Sequence, residues 1–458
     1  MRMSADPPAP AEPAAPAAAP QDPFEIVRSR SYVALLVMAA LLGAPISAAA
    51  YGFLALVSQL QSLVYNDLPK GLGFHGTPDW WAVPVLAVSG VLVALTIRYL
   101  PGRGGHEPAD GLKTGGIPSA ATVPGVALAA IASLSLGVVL GPEAPLIALG
   151  GGLAVGAIRL LKRDAPPNAL AVLGAAGSFA AISELLGSPI LGAFLLMEAS
   201  GLAGPMLGVV LVPGLLAAGI GSLIFTGLDS WTGLGTYSLS LTQVPTADRP
   251  TLAAFGWAIL AGLVAPVLGE VIRRPALRMR MQIQRRRLPL SVLAGALIGA
   301  LALLYATITD KPISGVLYSG ESTLGPLLAD HATYSVGTLL LLVAFKSLAY
   351  SVSLSSFRGG PVFPALFVGG AGGLAMSHLP GLDVTTGFAI GLGALSVAML
   401  RLPMTCVLLA TLLLGSQGLT VMPLVIVAVV VAYVGTLRLT RRSAPVTGEP
   451  EPIGAPAS

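Results

Sequence analysis

Charge is what this chain has least of. Only 10% of its 458 residues are Asp, Glu, Lys or Arg, against roughly 25% in an ordinary soluble domain, and 54% are hydrophobic. That balance excludes a water-soluble globular protein. Cysteine is nearly absent too. Cys406 stands alone among apolar neighbours, which excludes an internal disulfide framework and leaves it as a packing residue. The four histidines, His75, His106, His331 and His378, are scattered along the chain, which argues against a zinc site, and no cofactor is implied. No basic-then-apolar signal peptide opens the sequence; residues 1–23 are Ala, Pro and a few acids and read as a disordered tail. The formal charge of +4 does not point to nucleic acid, because the basic residues sit in short clusters between apolar runs, as topology determinants do.

Glycine and proline, by contrast, are plentiful: 56 and 38 residues, too many for a set of straight spans of about 20 residues each. With a mean hydropathy of +0.83, they predict an all-α polytopic membrane protein whose helices pack closely, break midway and re-enter. The membrane domain reads as 24–445, with halves at about 31–226 and 251–438 separated by a polar stretch at 227–250, and 446–458 reads as a second disordered tail. Apolar pieces fall at about 31–65, 81–100, 123–140, 143–161, 168–183, 189–203 and 206–226, then 251–272, 288–308, 334–354, 361–377, 386–400, 403–415 and 421–438. No second copy of the first half is visible as sequence identity, but both halves carry Gly/Pro breaks at the heads of apolar segments, the pattern of an inverted repeat. Arginines concentrate in a predicted loop at 273–287 and again at Arg438, Arg441 and Arg442; with Arg28 and Arg30 they place both termini in the cytoplasm of an inner, plasma-membrane protein. The arginine loop reads first as a topology signal and second as a binder of anionic lipid.

From Thr122 to Ile158 the only ionisable side chain is Glu143, inside Leu140-Gly141-Pro142-Glu143-Ala144-Pro145. An acid at membrane depth is a functional-site hypothesis by default. The flanking prolines fit a break followed by a new helix start, whose free N–H groups make an anion site. A tethered carboxylate beside such a site can occupy it or leave it, as a gate does. Two further breaks, Gly115-Gly116-Ile117-Pro118 and Gly359-Gly360-Pro361-Val362-Phe363-Pro364, also precede apolar segments. Three helix N-termini aimed at one point would replace part of an anion's hydration shell without a full counter-charge.

In this order and around one glutamate, the three breaks resemble the CLC family of chloride channels and chloride/proton exchangers. The resemblance covers roughly 31–445. Thr114 to Pro118 is similar to the family's Gly-Ser-Gly-Ile-Pro, Gly141 to Pro145 to its Gly-Arg-Glu-Gly-Pro, and Gly360 to Pro364 to its Gly-x-Phe-x-Pro. Gly187-Ser188-Pro189 with Phe194 and Glu198, Ser319-Gly320-Glu321, and Val431-Ala432-Tyr433 are supporting matches. The resemblance implies a homodimer in the lipid bilayer, each subunit being two inverted halves of tilted and broken helices with its own pore for chloride or a similar small anion. It implies Glu143 as the gate and backbone groups of Gly115, Gly116, Ile117, Ala144, Val362 and Phe363 as anion ligands. The expected dimer faces are 189–203, 206–226, 403–415 and 421–438.

The departures matter as well. The family's pore-lining serine falls on Gly115, Pro361 has no N–H to offer, and no tyrosine follows Arg442-Ser443 where the inner gate is expected. The inward-facing acid that exchangers use for protons falls on Ala199. These features predict passive or weakly proton-coupled anion permeation, with a stoichiometric chloride/proton antiporter as the alternative.

Competing readings stay beside these. Glu143 could cap a helix N-terminus; Glu198 is open between a structural role and proton handling; Glu184 reads as structural. Lys346 either biases the pore positive or snorkels to the interface. Gly150-Gly151-Gly152 lacks the Lys-Ser/Thr of a phosphate loop and reads as close helix packing. An intramembrane enzyme would need a paired nucleophile and base, and neither a Ser/His pairing nor HExxH is present. A cation or solute carrier on another inverted-repeat fold would show unwound carbonyl sites or acids near bound cations.

Overall fold

An apolar chain in a bilayer must satisfy its own backbone N–H and C=O groups, and helices do so within one segment. The computed structural model describes residues 23–112, 119–201, 204–241 and 243–441. The first break, with Gly115, Gly116 and Ile117, both tails, and Arg442-Ser443 lie outside the described residues. In chain order the helices are α1 (Pro23–Arg28), α2 (Arg30–Ser62), α3 (Leu68–Gly71), α4 (Ala82–Tyr99), α5 (Val123–Leu134), α6 (Glu143–Leu161), α7 (Pro167–Ala181), α8 (Pro189–Ser200), α9 (Pro205–Thr232), α10 (Leu252–Arg285), α11 (Arg287–Thr309), α12 (Glu321–Ala329), α13 (Val336–Ser356), α14 (Val362–Met376), α15 (Val384–Leu400), α16 (Pro403–Leu412) and α17 (Ser416–Arg441). Among the described residues eight are long and apolar enough to cross a membrane: α2, α4, α6, α9, α10, α11, α13 and α17. The predicted all-α polytopic fold is present.

The inverted repeat that sequence identity hides is visible in the packing. α2 packs on α9 as α10 does on α17, α6 on α7 as α14 on α15, and α7 on α9 as α15 on α17. Likewise α4 meets α5 as α11 meets α13, and α8 meets α9 as α16 meets α17. Across the halves, α4 packs on α11 and α8 on α16, each helix against its own counterpart. α12 is the insertion in the second half. Even single hydrogen bonds repeat: the Val139 N–H donates to Ser353 Oγ on α13 (3.2 Å), and the Arg358 N–H donates to Ser133 Oγ on α5 (3.1 Å).

Two expectations about segments need correction. The run 123–140 is not one element: α5 stops at Leu134 and residues 135–142 lead without helix into α6. Nor is 273–287 a loop. α10 runs 34 residues to Arg285, only Arg286 leaves the helical conformation, and α11 begins at Arg287. Arg, Met and Gln are good helix formers, so nothing stops the helix where the apolar run ends.

Small residues let the paired helices touch. A Cβ on Gly150 of α6 would strike the carbonyl of Gly177 on α7, and one on Gly177 would strike the carbonyl of Gly150. Gly369 and Gly391 repeat this between α14 and α15. The Gly150–Gly152 run is thus helix packing. Gly150→Val should destabilise the folded protein by about 1–3 kcal/mol, the cost of overpacking. It should lower the midpoint of thermal unfolding in detergent, whereas Gly208→Ala, which meets open space, should not. Equal midpoints for the two variants would refute the close contact.

Candidate functional site

The two breaks that the structure describes are built alike. Gly141-Pro142-Glu143-Ala144-Pro145 and Gly360-Pro361-Val362-Phe363-Pro364 share the pattern Gly-Pro-x-x-Pro. Each proline takes the N-cap of the helix that follows, with nearly equal backbone angles (φ −82°, ψ −7° at Pro142; φ −91°, ψ −2° at Pro361). The two glycines exchange backbone hydrogen bonds: the Gly141 N–H donates to the Gly360 carbonyl at 2.8 Å, and the Gly360 N–H to the Gly141 carbonyl at 2.6 Å. This antiparallel bridge, the one isolated bridge among the described residues, sets the starts of α6 and α14 side by side.

Glu143, the first residue of α6, is fully buried. Its carboxylate reaches across the bridge to the start of α14, where Oε1 accepts the Val362 N–H at 2.5 Å. The N–H groups of Phe363 and of Glu143 itself also bear on it. Oε2 is buried and has no hydrogen-bond partner among the described residues. The carboxylate lies so close over Gly141 and Gly360 that a Cβ on either would overlap it. That explains glycine at both positions without any appeal to unusual φ. Pro361 contributes no N–H, and its carbonyl is taken by the Tyr350 hydroxyl of α13 at 2.7 Å. The helix N-terminus therefore presents its donors to one carboxyl group, and that group is a side chain of the protein.

Two cavities approach this point from opposite ends of the same helices. The first, about 1070 Å3, is lined by Ser31 at the start of α2, Thr122 before α5, Ala144 and Ile147 on α6, and Gly359 and Pro361. The second, about 830 Å3, is lined by Gln61 at the end of α2, Leu134 at the end of α5, Leu140, Pro142, Tyr318 and Glu321. Leu140 and Pro142 face one cavity and Ala144 the other, so Glu143 lies between them in the chain. Arg280 of α10 pairs with Glu107 (3.1 Å) and Asp110 (2.7 Å), beside the first cavity's lining at His106 and Pro108. The N-terminal helix, which lines it through Glu25, and the arginine-rich end of α10 are thus on one side. Arg401 donates to Thr440 near the end of α17.

Of the predicted site residues, the structure brings together Glu143, Ala144, Val362 and Phe363. Glu198 is elsewhere. It ends α8 and accepts from the N–H groups of Met404 (3.0 Å) and Thr405 (2.8 Å) and from the Thr405 hydroxyl (2.6 Å), capping α16. Its neighbours Met197 and Ser200 line the first cavity, and it does not. Glu184 accepts a hydrogen bond from the Ser222 hydroxyl, in keeping with a structural role. Lys346 does not snorkel: it has no exposed surface.

Three groups escaped the reading of the sequence: Tyr350, the pairing of the two Gly-Pro breaks, and the place of Glu321 in the second cavity. The repeated Gly-Pro-x-x-Pro would have pointed to the second. Glu321 starts α12, where Gly320, at φ +91°, turns against the Phe367 ring. Burial, and after it the charge of Glu143, raise Glu321 to about 8, so it holds a proton at neutral pH more readily than an exposed carboxyl.

Comparison with known proteins agrees with this architecture. The sequence profile described as "Voltage gated chloride channel" matches residues 85–436. YfeO of Escherichia coli, named as an ion-transport protein, is 30% identical over 359 residues, covering 77% of this chain and 81% of that protein. Among solved structures, a slow cyanobacterial Cl−/H+ antiporter superposes with a TM-score of 0.66 at 20% identity, covering 89% of this chain and 97% of that one. A CLC-type fluoride/proton antiporter gives 0.64 at 18%, covering 88% and 95%. At these identities the structures speak to shared fold.

The cap on α16 gives a stability prediction. Glu198→Ala should cost about 1–2 kcal/mol, the range for a lost N-cap, and Glu198→Gln, which keeps an acceptor, should recover part of it. The check is the unfolding midpoint of purified protein; an unchanged midpoint for Glu198→Ala would show that the cap contributes nothing.

Proposed function

The chain belongs to the voltage-gated chloride channel (CLC) family, and on that premise we propose that it carries chloride or a similar small anion along a path that the Glu143 carboxylate opens and closes. One observation carries the reading. A buried carboxylate occupies the N-terminus of α14 between two cavities that reach it from opposite sides. An inorganic anion at that position would meet the same donors, Val362 and Phe363, and the same glycine floor. Anion and carboxylate therefore compete for one seat. Protonation of Glu143 removes its charge, weakens its hold on the N–H groups and yields the seat to the anion. The donors are backbone groups of uncharged residues, which hold an ion without a full counter-charge and let it leave.

A proton-coupled cycle is the second reading, and a specific feature favours it. Glu321 lies in the second cavity, within electrostatic reach of Glu143, and provides a carboxyl that could pass protons to it. The antiporters that share the fold are proton-coupled by their descriptions. Against it stand Ala199 at the position of the inward acid and the engagement of both Glu198 oxygens in the α16 cap. Passive or weakly coupled permeation is therefore the reading carried forward.

For the setting, the arginine-bearing side is the cytoplasmic side of the inner membrane, so the first cavity opens inward. Exposed Ile190 on α8, Leu223 on α9, Met404 and Leu412 on α16, and Leu419 and Ile426 on α17 support a homodimer whose faces are α8, α9, α16 and α17, with one pore in each subunit.

The test is anion flux in liposomes with internal pH recorded. Wild-type flux should rise as pH falls, because protonation vacates the seat. Glu143→Gln should conduct at all pH values and lose most of that dependence, and a chloride gradient should move few protons. A folded, conducting Glu143→Gln protein with the wild-type pH profile would exclude the gate. Sustained uphill proton movement at a fixed ratio to chloride would replace the passive reading with the exchanger, and Glu321→Gln would then be expected to abolish it.

A further inference from the structure

The arginines at the end of α10 are sorted by face. Arg273 and Arg274 pair with Glu270 (3.9 and 2.7 Å), and Arg280 pairs with Glu107 and Asp110. Gln284 donates to Glu107 as well, at 3.2 Å. These contacts fix the rotation of the helix end: Arg280 and Gln284 meet the 107–110 segment, and Ile272, Ala276 and Ile283 are buried. Arg278 and Arg285, about two turns apart, share a different face. Both are exposed, as is Arg286 at the elbow before α11. No carboxylate pairs with any of these three among the described residues. A topology signal needs only charge on one side of the membrane; it does not need arginines set apart on one face.

The length of α11 sets the depth of this helix end. α11 is apolar from Leu288 onward, and its 23 residues give about 34 Å, against a hydrocarbon core of about 30 Å. Its first turn is therefore at the membrane edge. Only Arg286 separates α11 from α10, and one residue bridges no more than about 4 Å. The end of α10 is accordingly at the same depth. From Arg273 to Arg285 the helix adds about 18 Å, so that stretch lies along the headgroup layer and does not project into water. Exposed apolar side chains accompany the arginines: Met281 (59% exposed) on α10, and Leu288 and Leu293 (42% and 63%) on α11. Basic groups beside apolar ones suit the boundary between headgroups and acyl chains.

We propose that the elbow between α10 and α11 binds an anionic phospholipid, with Arg278, Arg285 and Arg286 on its phosphate and Met281, Leu288 and Leu293 along its acyl chains. Guanidinium groups match phosphate with parallel N–H donors and carry their charge at every physiological pH. A zwitterionic headgroup brings its own ammonium and offers the three arginines no net charge, so the elbow should discriminate between the two kinds of lipid. Such binding is independent of what passes the Glu143 seat.

The experiment uses the full-length chain purified in detergent. Phosphatidylglycerol, or phosphatidylcholine with the same acyl chains, is added in steps, and the unfolding midpoint and the lipid retained in native mass spectrometry are recorded. Phosphatidylglycerol should raise the midpoint, as a ligand of the folded state does, and should be retained; phosphatidylcholine should do both far more weakly. Arg278→Gln, Arg285→Gln and Arg286→Gln should each weaken phosphatidylglycerol binding about fivefold, and the three together about a hundredfold, from the worth of one arginine near an anionic surface. The single variants read the effect if the triple variant does not insert. Replacing all three by lysine keeps the charge and should stay within about fivefold of wild type. Lys162→Gln with Arg163→Gln removes two positive charges from the loop before α7, whose Asn168 and Ala169 line the first cavity on the same side; binding should not change. Equal binding of the two lipids by wild type, undiminished binding by the elbow variants, or an equal loss in the loop variant would each overturn the proposal. So would an equal rise of the midpoint with inorganic phosphate alone, since the acyl chains would then contribute nothing.

Discussion

The centre of this protein depends on two backbone hydrogen bonds, exchanged between Gly141 and Gly360. A broken helix in a membrane leaves N–H and C=O groups with no water to satisfy them, and each unsatisfied group costs several kcal/mol. Here the break in each half supplies the partner that the other half's break lacks. The exchange also fixes geometry. Because each glycine is followed by proline and then by a helix, pairing the glycines lays the two helix starts beside each other and turns one first-turn side chain, Glu143, onto the N–H groups of the other. The serine bonds of Ser133 and Ser353 to the opposite half's approach segment tighten the same junction.

The chemistry of the seat follows from what is missing around it. Among the described residues no side-chain cation touches the carboxylate, and Pro361 withholds one N–H. What remains is a helix terminus, worth roughly half a charge. On the proposed reading, such a site would attract an anion without trapping it. The floor of Gly141 and Gly360 leaves room only because neither carries a Cβ, so the occupant rests on backbone.

Much of this was legible in the sequence. The apolar runs 143–161 and 288–308 fall within a residue of α6 and α11, since apolar composition and helix are nearly the same signal in a bilayer. Glu143 stood out because it is alone in its segment, and Val362 and Phe363 because they follow Gly-Pro. The inverted repeat was visible only as a shared habit of breaking, because packing conserves helix order and contact, which tolerate wide changes of residue. Where composition changed without a structural stop, as across the arginines of α10, the reading ended the helix too soon. Side-chain partners were beyond reach. Lys346 found four carbonyls and Glu198 found the start of α16 through contacts that no spacing along the chain encodes.

The distance along the chain between Glu143 and its partner Val362 is 219 residues. During synthesis, the helices up to α9 are therefore made while the acid at the head of α6 has no second half to meet. Until α14 arrives, that carboxylate and the open ends around Gly141 must be met by water or lipid headgroups at the membrane edge, or by a partner in the insertion machinery. The first half is consequently an unfinished object as it leaves the ribosome. Its final burial in the bilayer is an event in the assembly of the whole chain, completed only when the later half inserts in the opposite sense and closes the glycine pair.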